Sequence, residues 1–137
     1  MSPFQVFRKP QVRASAVVEP AVAIYRTAAT TAATATAKAT HRVIGISADW
    51  PKYHPLPGVT ITAHAETGDQ ITYHTAGTEC YWKVGAVAIA ADVELTPNAS
   101  GQCILAVSGD LVCARSVFAA AIGARATVCV IEPYVKP

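Results

Sequence analysis

The sequence has no paired-cysteine motif, no long apolar run and no cluster of reactive side chains, and each absence removes a class of protein. Its cysteines, Cys80, Cys103, Cys113 and Cys129, are far apart and form no C-x-x-C pair of the kind that holds zinc or cycles as a disulfide. Cys103, Cys113 and Cys129 sit among aliphatic residues, where a free thiol behaves as a small buried hydrophobe. No run of about eighteen apolar residues is present to span a bilayer. Near the N-terminus, Gln5, Arg8, Lys9 and Gln11 interrupt Phe4, Val6 and Phe7, so no secretory signal is read and synthesis in the cytoplasm is expected. His41, His54, His64 and His74 include no pair at the close spacing of helical metal ligands. There is no G-x-S-x-G elbow, and Ser108-Gly109-Asp110 reads as a turn. No Gly-rich loop precedes a helix to cradle phosphate. Asn98-Ala99-Ser100 fits a glycosylation sequon, but without a secretory signal it reads as turn chemistry. No catalytic residue, cofactor, metal or small-molecule ligand is therefore expected, and the chain does not read as an enzyme.

Charge is as weak as chemistry. The net charge of +2 is too small to make nucleic acid or an anionic membrane the main partner. It is also uneven: Arg8, Lys9 and Arg13 precede the first acidic residue, Glu19, and suit an acidic protein surface or a solvated tail.

What is present is a body of small and branched apolar residues. At 137 residues the chain fits one domain, and a domain near this size buries roughly 70% of its unfolded surface. The apolar fraction is 52%, but much of it is alanine, and each methyl buries little at about 25 cal/mol per Å². Such a body is expected to need neighbours and to oligomerise.

Residues 1–14 carry Pro3 and Pro10 without helical periodicity and read as an extended N-terminal arm. Val17-Val18 and Val22 to Tyr25 read as a strand broken at Pro20, and the Ala/Thr stretch 27–40 as a loose strand or loop. Residues 42–48 read as a strand with a bulge or close backbone approach at Gly45, followed by a proline-rich loop from Trp50 to Pro57. Residues 59–65 alternate with period two, predicting a half-buried strand whose polar face is Thr60, Thr62 and His64. Gly68-Asp69 is a turn, and residues 70–75 resume as a strand with Ile71 and Tyr73 on one face. Residues 79–84 are its candidate partner, and 85–92 a helical turn or a connecting loop. Residues 93–96 and 102–107 form a hairpin about Pro97 to Gly101. A strand at 111–116, a small-residue turn or short helix, and a strand at 126–131 close the sheet. Pro133 and Pro137 make residues 133–137 a C-terminal tail. The sum is an all-β chain, a single sandwich or barrel-like domain over 15–132 with an extended arm at each end.

Two constellations need weighing. If 59–65 and 70–75 paired about Gly68-Asp69, His64 would face His74 with Glu66 or Glu79 nearby; two exposed polar residues on a strand face need no ligand to explain them, however. Trp50, Tyr53, Tyr81 and Trp82 are the residue types that stack on sugars or anchor interfaces; the plainer reading puts Trp82 in the core and Trp50 over a loop.

The ordered set Arg42-Val43-Ile44-Gly45-Ile46-Ser47, Gly68-Asp69, Ala76-Gly77, Val84-Gly85, Asp92-x-x-Leu95-Thr96, Asn98-x-x-Gly101 and Ala119-Ala120-x-x-Gly123-Ala124-x-Ala126-Thr127-Val128-x-Val130 resembles the capsid decoration, or cement, proteins of tailed bacteriophages. The similarity spans residues 16–132 and lies in order and spacing. Ala91 stands where many relatives have Gly, and Tyr81-Trp82 replaces small aliphatics. The resemblance implies a structural virion protein on the outer capsid surface, cementing neighbouring capsomers, with the major capsid protein and its own copies, as a homotrimer, for partners. Phe4, Phe7, Arg8, Lys9, Arg13, Trp50 and Tyr134 are the candidate capsid or subunit contacts. A virion-surface carbohydrate-binding module is the alternative.

Overall fold

In a computed structural model that describes residues 11–52 and 57–137, the apolar runs form strands and the Gly, Asp and Pro clusters form the turns between them. Ten strands are present among the described residues, with no helix: β1 (Arg13–Ala14), β2 (Ala23–Arg26), β3 (Thr31–Thr34), β4 (Val43–Ser47), β5 (Tyr73–His74), β6 (Glu79–Lys83), β7 (Glu94–Pro97), β8 (Cys103–Leu105), β9 (Leu111–Ser116) and β10 (Arg125–Val135). The first five make one sheet, in the order β1-β3-β2-β4-β5, and the last five a second, in the order β6-β10-β9-β7-β8. The expected all-β sandwich is the observed fold.

Between the sheets lies a core in which Ala23, Val43 and Ile46 of the first meet Trp82, Leu95, Cys113, Val128 and Val130 of the second. A further core covers the outer face of the first sheet, where Ile24 and Ala32 pack with Val12, Val18, Ala65 and Ile71. Successive side chains of a strand point to opposite faces, so β2 places Ala23 in one core and Ile24 in the other. This is why its sequence, Ala-Ile-Tyr, shows no polar alternation.

Gly45 meets both parts of its expectation. The register jumps from Ile24 opposite Gly45 to Tyr25 opposite Val43, leaving Ile44 as the extra residue of a bulge. The bulge shifts the alternation, so Val43 and Ile46, three apart in sequence, both enter the core between the sheets. A Cβ on Gly45 would also run into the His74 carbonyl oxygen and lie 2.7 Å from the Tyr73 ring. The β7–β8 hairpin, the strand at 111–116 and the turns at Gly68 and Gly77 likewise stand where the sequence placed them.

Four expectations change. Residues 59–65 form no regular strand: their neighbours are separate points on the chain, with the Lys52 amide bonded to the Ala63 carbonyl (2.8 Å) and the His64 amide to the Val18 carbonyl (2.8 Å). Thr60 and Thr62 are exposed but His64 is only 6% exposed, so the three share no polar face. β6 pairs with β10, not with β5. Residues 12–14 belong to the body rather than to an arm, since Val12 and Ala14 are buried and β1 runs parallel to β3. At the other end β10 continues through Pro133, with Tyr134 opposite Val112 and Val135 opposite Leu111, so that stretch is strand and not tail. Pro133 is tolerated because it falls in a bulge between Val130 and Tyr134, where the ladder requires no N–H from it. Residues 1–10 lie outside the described part of the chain.

Candidate interaction surface

Two of the histidines are engaged in holding loops. His64 donates from Nδ1 to the Trp50 carbonyl (2.9 Å) and accepts the Thr72 amide at Nε2 (3.1 Å), which sets its tautomer and ties the Trp50 loop to the segment before β5. His41 accepts the Thr36 and Ala37 amides at Nδ1 (3.1 and 3.2 Å) and stacks on Tyr25 with ring centroids 3.7 Å apart. His64 and His74 therefore form no exposed cross-strand pair, and no group of three His, Cys, Asp or Glu able to hold a metal occurs among the described residues.

Burial pushes the Cys80 and Cys103 thiols up to about 12, and it raises Cys113 as well. Their thiolates, the nucleophilic form, are scarce at neutral pH. The sheets carry two buried serines with the same role. Ser47, which ends β4, donates to the Glu19 carbonyl (2.7 Å) and accepts the Val22 amide (3.0 Å). Ser116, which ends β9, donates to the Ala90 carbonyl (2.7 Å) and accepts the Val93 amide (3.0 Å). A cleft of about 510 Å³ lined by Val17, Thr60, Ile61, Thr62, Ala63, Glu66 and Thr67 contains a single ionisable group, Glu66.

Of the predicted contact residues, Phe4, Phe7, Arg8 and Lys9 lie outside the described residues. Arg13 and Trp50 flank the same segment: Arg13 Nη1 donates to the Gly68 carbonyl (2.9 Å), and the Trp50 carbonyl holds His64. Lys52 clamps that segment at Asp69 (2.7 Å) and Glu66 (3.8 Å). The Lys52 ammonium, hydrogen-bonded to Asp69, holds that carboxyl below its usual range. Trp50 is 52% exposed, its ring edge-on to His64, whereas Trp82 is wholly buried. Tyr134 belongs to the second sheet, where its hydroxyl donates to Glu94, whose carboxyl also pairs with Lys136 (3.5 Å). The fold thus brings Arg13 and Trp50 to one segment and puts Tyr134 on the other sheet.

Sequence reasoning passed over a second surface. The connections β6–β7 and β9–β10 leave the same end of the second sheet and pair through Ile89 and Ala120. They expose Val87 (64%), Phe118 (65%) and Ile122 (64%). The available signal was the lack of any charged side chain in Gly85 to Ala91 and in Val117 to Ala124, since exposed connections ordinarily carry polar residues.

Fold and surface together define an all-β sandwich with an exposed apolar end on its second sheet. No family model and no curated protein matches the chain. Among solved structures, it is similar to the N base of the head fiber gp8.5 of bacteriophage phi29, with 14% identity and a TM-score of 0.58 over 93% of this chain and 96% of that one. The two share a fold.

Proposed function

We propose that this chain is a structural protein of a phage virion that binds the outer surface of the capsid and cements neighbouring capsomers, without catalysis. The observation that carries the reading is the fold shared, across nearly the whole of both chains, with the base of a phage head fiber. The ordered motif set from Arg42 to Val130 supports the same class from the sequence side. The mechanism is binding: a protein that attaches to the assembled shell and not to its dissociated parts stabilises the shell by mass action. A homotrimer would multiply weak contacts, because once one subunit docks the others bind as if at raised local concentration. Partners on this reading are the major capsid protein and further copies of the chain.

Two tests bear on it. Co-sedimentation with undecorated phage heads should pellet the protein and raise the temperature at which the heads open; protein that stays in the supernatant sinks the cementing role. Deletion of residues 1–10 should weaken head binding if Phe4, Phe7, Arg8 and Lys9 are shell contacts. The deletion must stop short of Val12, which is 0% exposed in the outer core. A dose-dependent signal on a glycan array, lost in Trp50→Ala, would instead favour the carbohydrate-binding alternative.

A further inference from the structure

A second cleft, of about 380 Å³, lies between the turn that leads into β2, the end of β6, the start of β10 and the β7–β8 turn. Its walls are fixed by backbone bonds. Ser47 holds the Glu19 carbonyl (2.7 Å) and the Val22 amide (3.0 Å), and the Ala21 carbonyl accepts the Lys83 amide (2.9 Å). Ala21 is wholly buried in a left-handed conformation (φ 54°), which a residue with a Cβ keeps only where its surroundings impose it. In the β7–β8 turn, Asn98 Oδ1 accepts the Ser100 and Gln102 amides (2.8 and 3.0 Å), and the Gly101 carbonyl takes the Trp82 indole and the Ala23 amide. The cleft is therefore shaped in advance of any ligand.

The side chains on these walls are idle. Among the described residues, every Lys and Arg except Lys83 makes a side-chain hydrogen bond or ion pair, as does every Asp and Glu except Glu19 and Glu79. Lys83 and Glu19 both line this cleft, with the equally uncommitted side chains of Thr62, Ser100 and Gln102. Arg125 lines it too, opposite Lys83 in register and held by Asp49 (2.8 Å). Like charges at directly opposite strand positions repel, and Asp49 offsets only one of the two. A polar side chain idle on open surface is ordinary; five that converge on one concavity with fixed walls are the polar complement of a ligand site.

We propose that this cleft binds a carboxylated sugar, of the hexuronic acid class. The carboxylate sits between Lys83 and Arg125 and supplies the negative charge that Lys83 lacks. A bare anion, or an acidic side chain, would use donors alone and would share the cleft with the Glu19 carboxylate. A sugar ring instead gives Glu19 hydroxyls to accept from, and the same hydroxyls match Gln102, Ser100 and Thr62, which both donate and accept. Pro20 and Val22 give the ring carbons an apolar wall. The site is independent of the capsid reading, and Trp50 is no part of its lining.

The test is NMR titration of the full chain with glucuronate, glucose and acetate, repeated on Lys83→Met and Glu19→Ala. Glucuronate is expected to bind about tenfold more tightly than glucose, the worth of one hydrogen bond between charged groups, and Lys83→Met should erase that difference. Glu19→Ala should weaken glucuronate severalfold by removing an acceptor for its hydroxyls. Tighter binding in Glu19→Ala, or acetate bound as well as glucuronate, would mean a plain anion site and overturn the sugar class. Glucuronate bound equally by the wild type and Lys83→Met overturns the location, and no binding to the wild type across the millimolar range overturns the proposal outright. Neither side chain has a partner to lose, so both variants should melt with the wild type; Lys83→Gln serves if Lys83→Met misfolds.

Discussion

The two sheets are alike in strand number and differ in what covers them. The first is buried on both faces, with the second sheet on one side and, on the other, residues from Val12 to Val18 and from Ala63 to Ile71. The second sheet has one core face and turns Tyr81 and Arg115 to solvent. A strand with one wet face writes its environment as alternation, and a strand with two dry faces does not. That difference separates the half of the molecule whose sequence reads plainly from the half that does not.

The sharpest way to break the comparison is at the joint between the sheets. Trp82 is wholly buried, and its indole donates to the Gly101 carbonyl (2.8 Å), which also accepts the Ala23 amide of the first sheet (2.9 Å). Trp82→Ala should cost about 3–5 kcal/mol and unfold both sheets in one transition, read by denaturant melts. Ile24→Ala, in the outer core alone, should cost about 2–5 kcal/mol. It should also expose residues 57–72 to proteolysis before the second sheet; simultaneous cleavage of both would show that the outer core is not a separate unit.

Ser47 and Ser116 offer a finer test, since each sheet uses one buried serine to satisfy one amide and one carbonyl. Either serine to alanine leaves those groups unpaired and should cost about 1–3 kcal/mol. A clearly larger loss for Ser116→Ala would mean that the connection carrying Val87 contributes stability beyond its hydrogen bonds.

The pH limits rest on different groups, the alkaline one on thiols of the second sheet and the acid one on carboxyls in both halves. Cys80 and Cys103 in the second sheet have folded values near 12, raised by burial, against an unfolded value of about 8.5. Folded pKa values above the unfolded ones contribute stability that is complete below about pH 8.5 and is lost as pH rises toward 12. Melting at stepped alkaline pH should show that decline, and Cys103→Ala should make it shallower. At the acid end Asp69, held low by the Lys52 hydrogen bond, and Glu94, held low by Tyr134 and then Lys136, contribute stability above the ordinary carboxylate range that fades as pH falls through their lowered values. Both groups are partly open to solvent, so this is the smallest effect, and added salt should diminish it. A Lys52→Met variant should move the acid limb slightly and leave the alkaline limb in place.

The hairpin about Gly101, the strand Leu111–Ser116 and the bulge at Gly45 were legible because each is set by neighbours in sequence: a turn residue, a branched run, a missing Cβ. Residues 59–65 misled because alternation of Val, Ile and Ala with Thr and His looks the same whether the amides find one continuous neighbouring strand or scattered partners. His64 showed the limit most clearly, its ring drawn inward by the Trp50 carbonyl and the Thr72 amide, neither of which marks the sequence as a partner. Of the candidate contacts, Trp50 was legible as an exposed aromatic over a loop, whereas Tyr134, read as part of a tail, belongs to β10. The apolar end bearing Val87, Phe118 and Ile122 was not, since small-residue runs read equally as turns or as core.

By itself the sequence determined that the chain is all β, where most strands of the second sheet begin and end, and that no motif gathers reactive side chains, because composition, turn residues and period-two patterning act over a few neighbouring positions. Only the tertiary structure decided that β6 joins β10, that Pro133 lies inside a strand, that the outer face of the first sheet is covered, and that the two uncharged connections come together at one exposed end. Each of those depends on which distant backbone supplies a hydrogen bond or takes up a side chain, and local chemistry does not encode that choice.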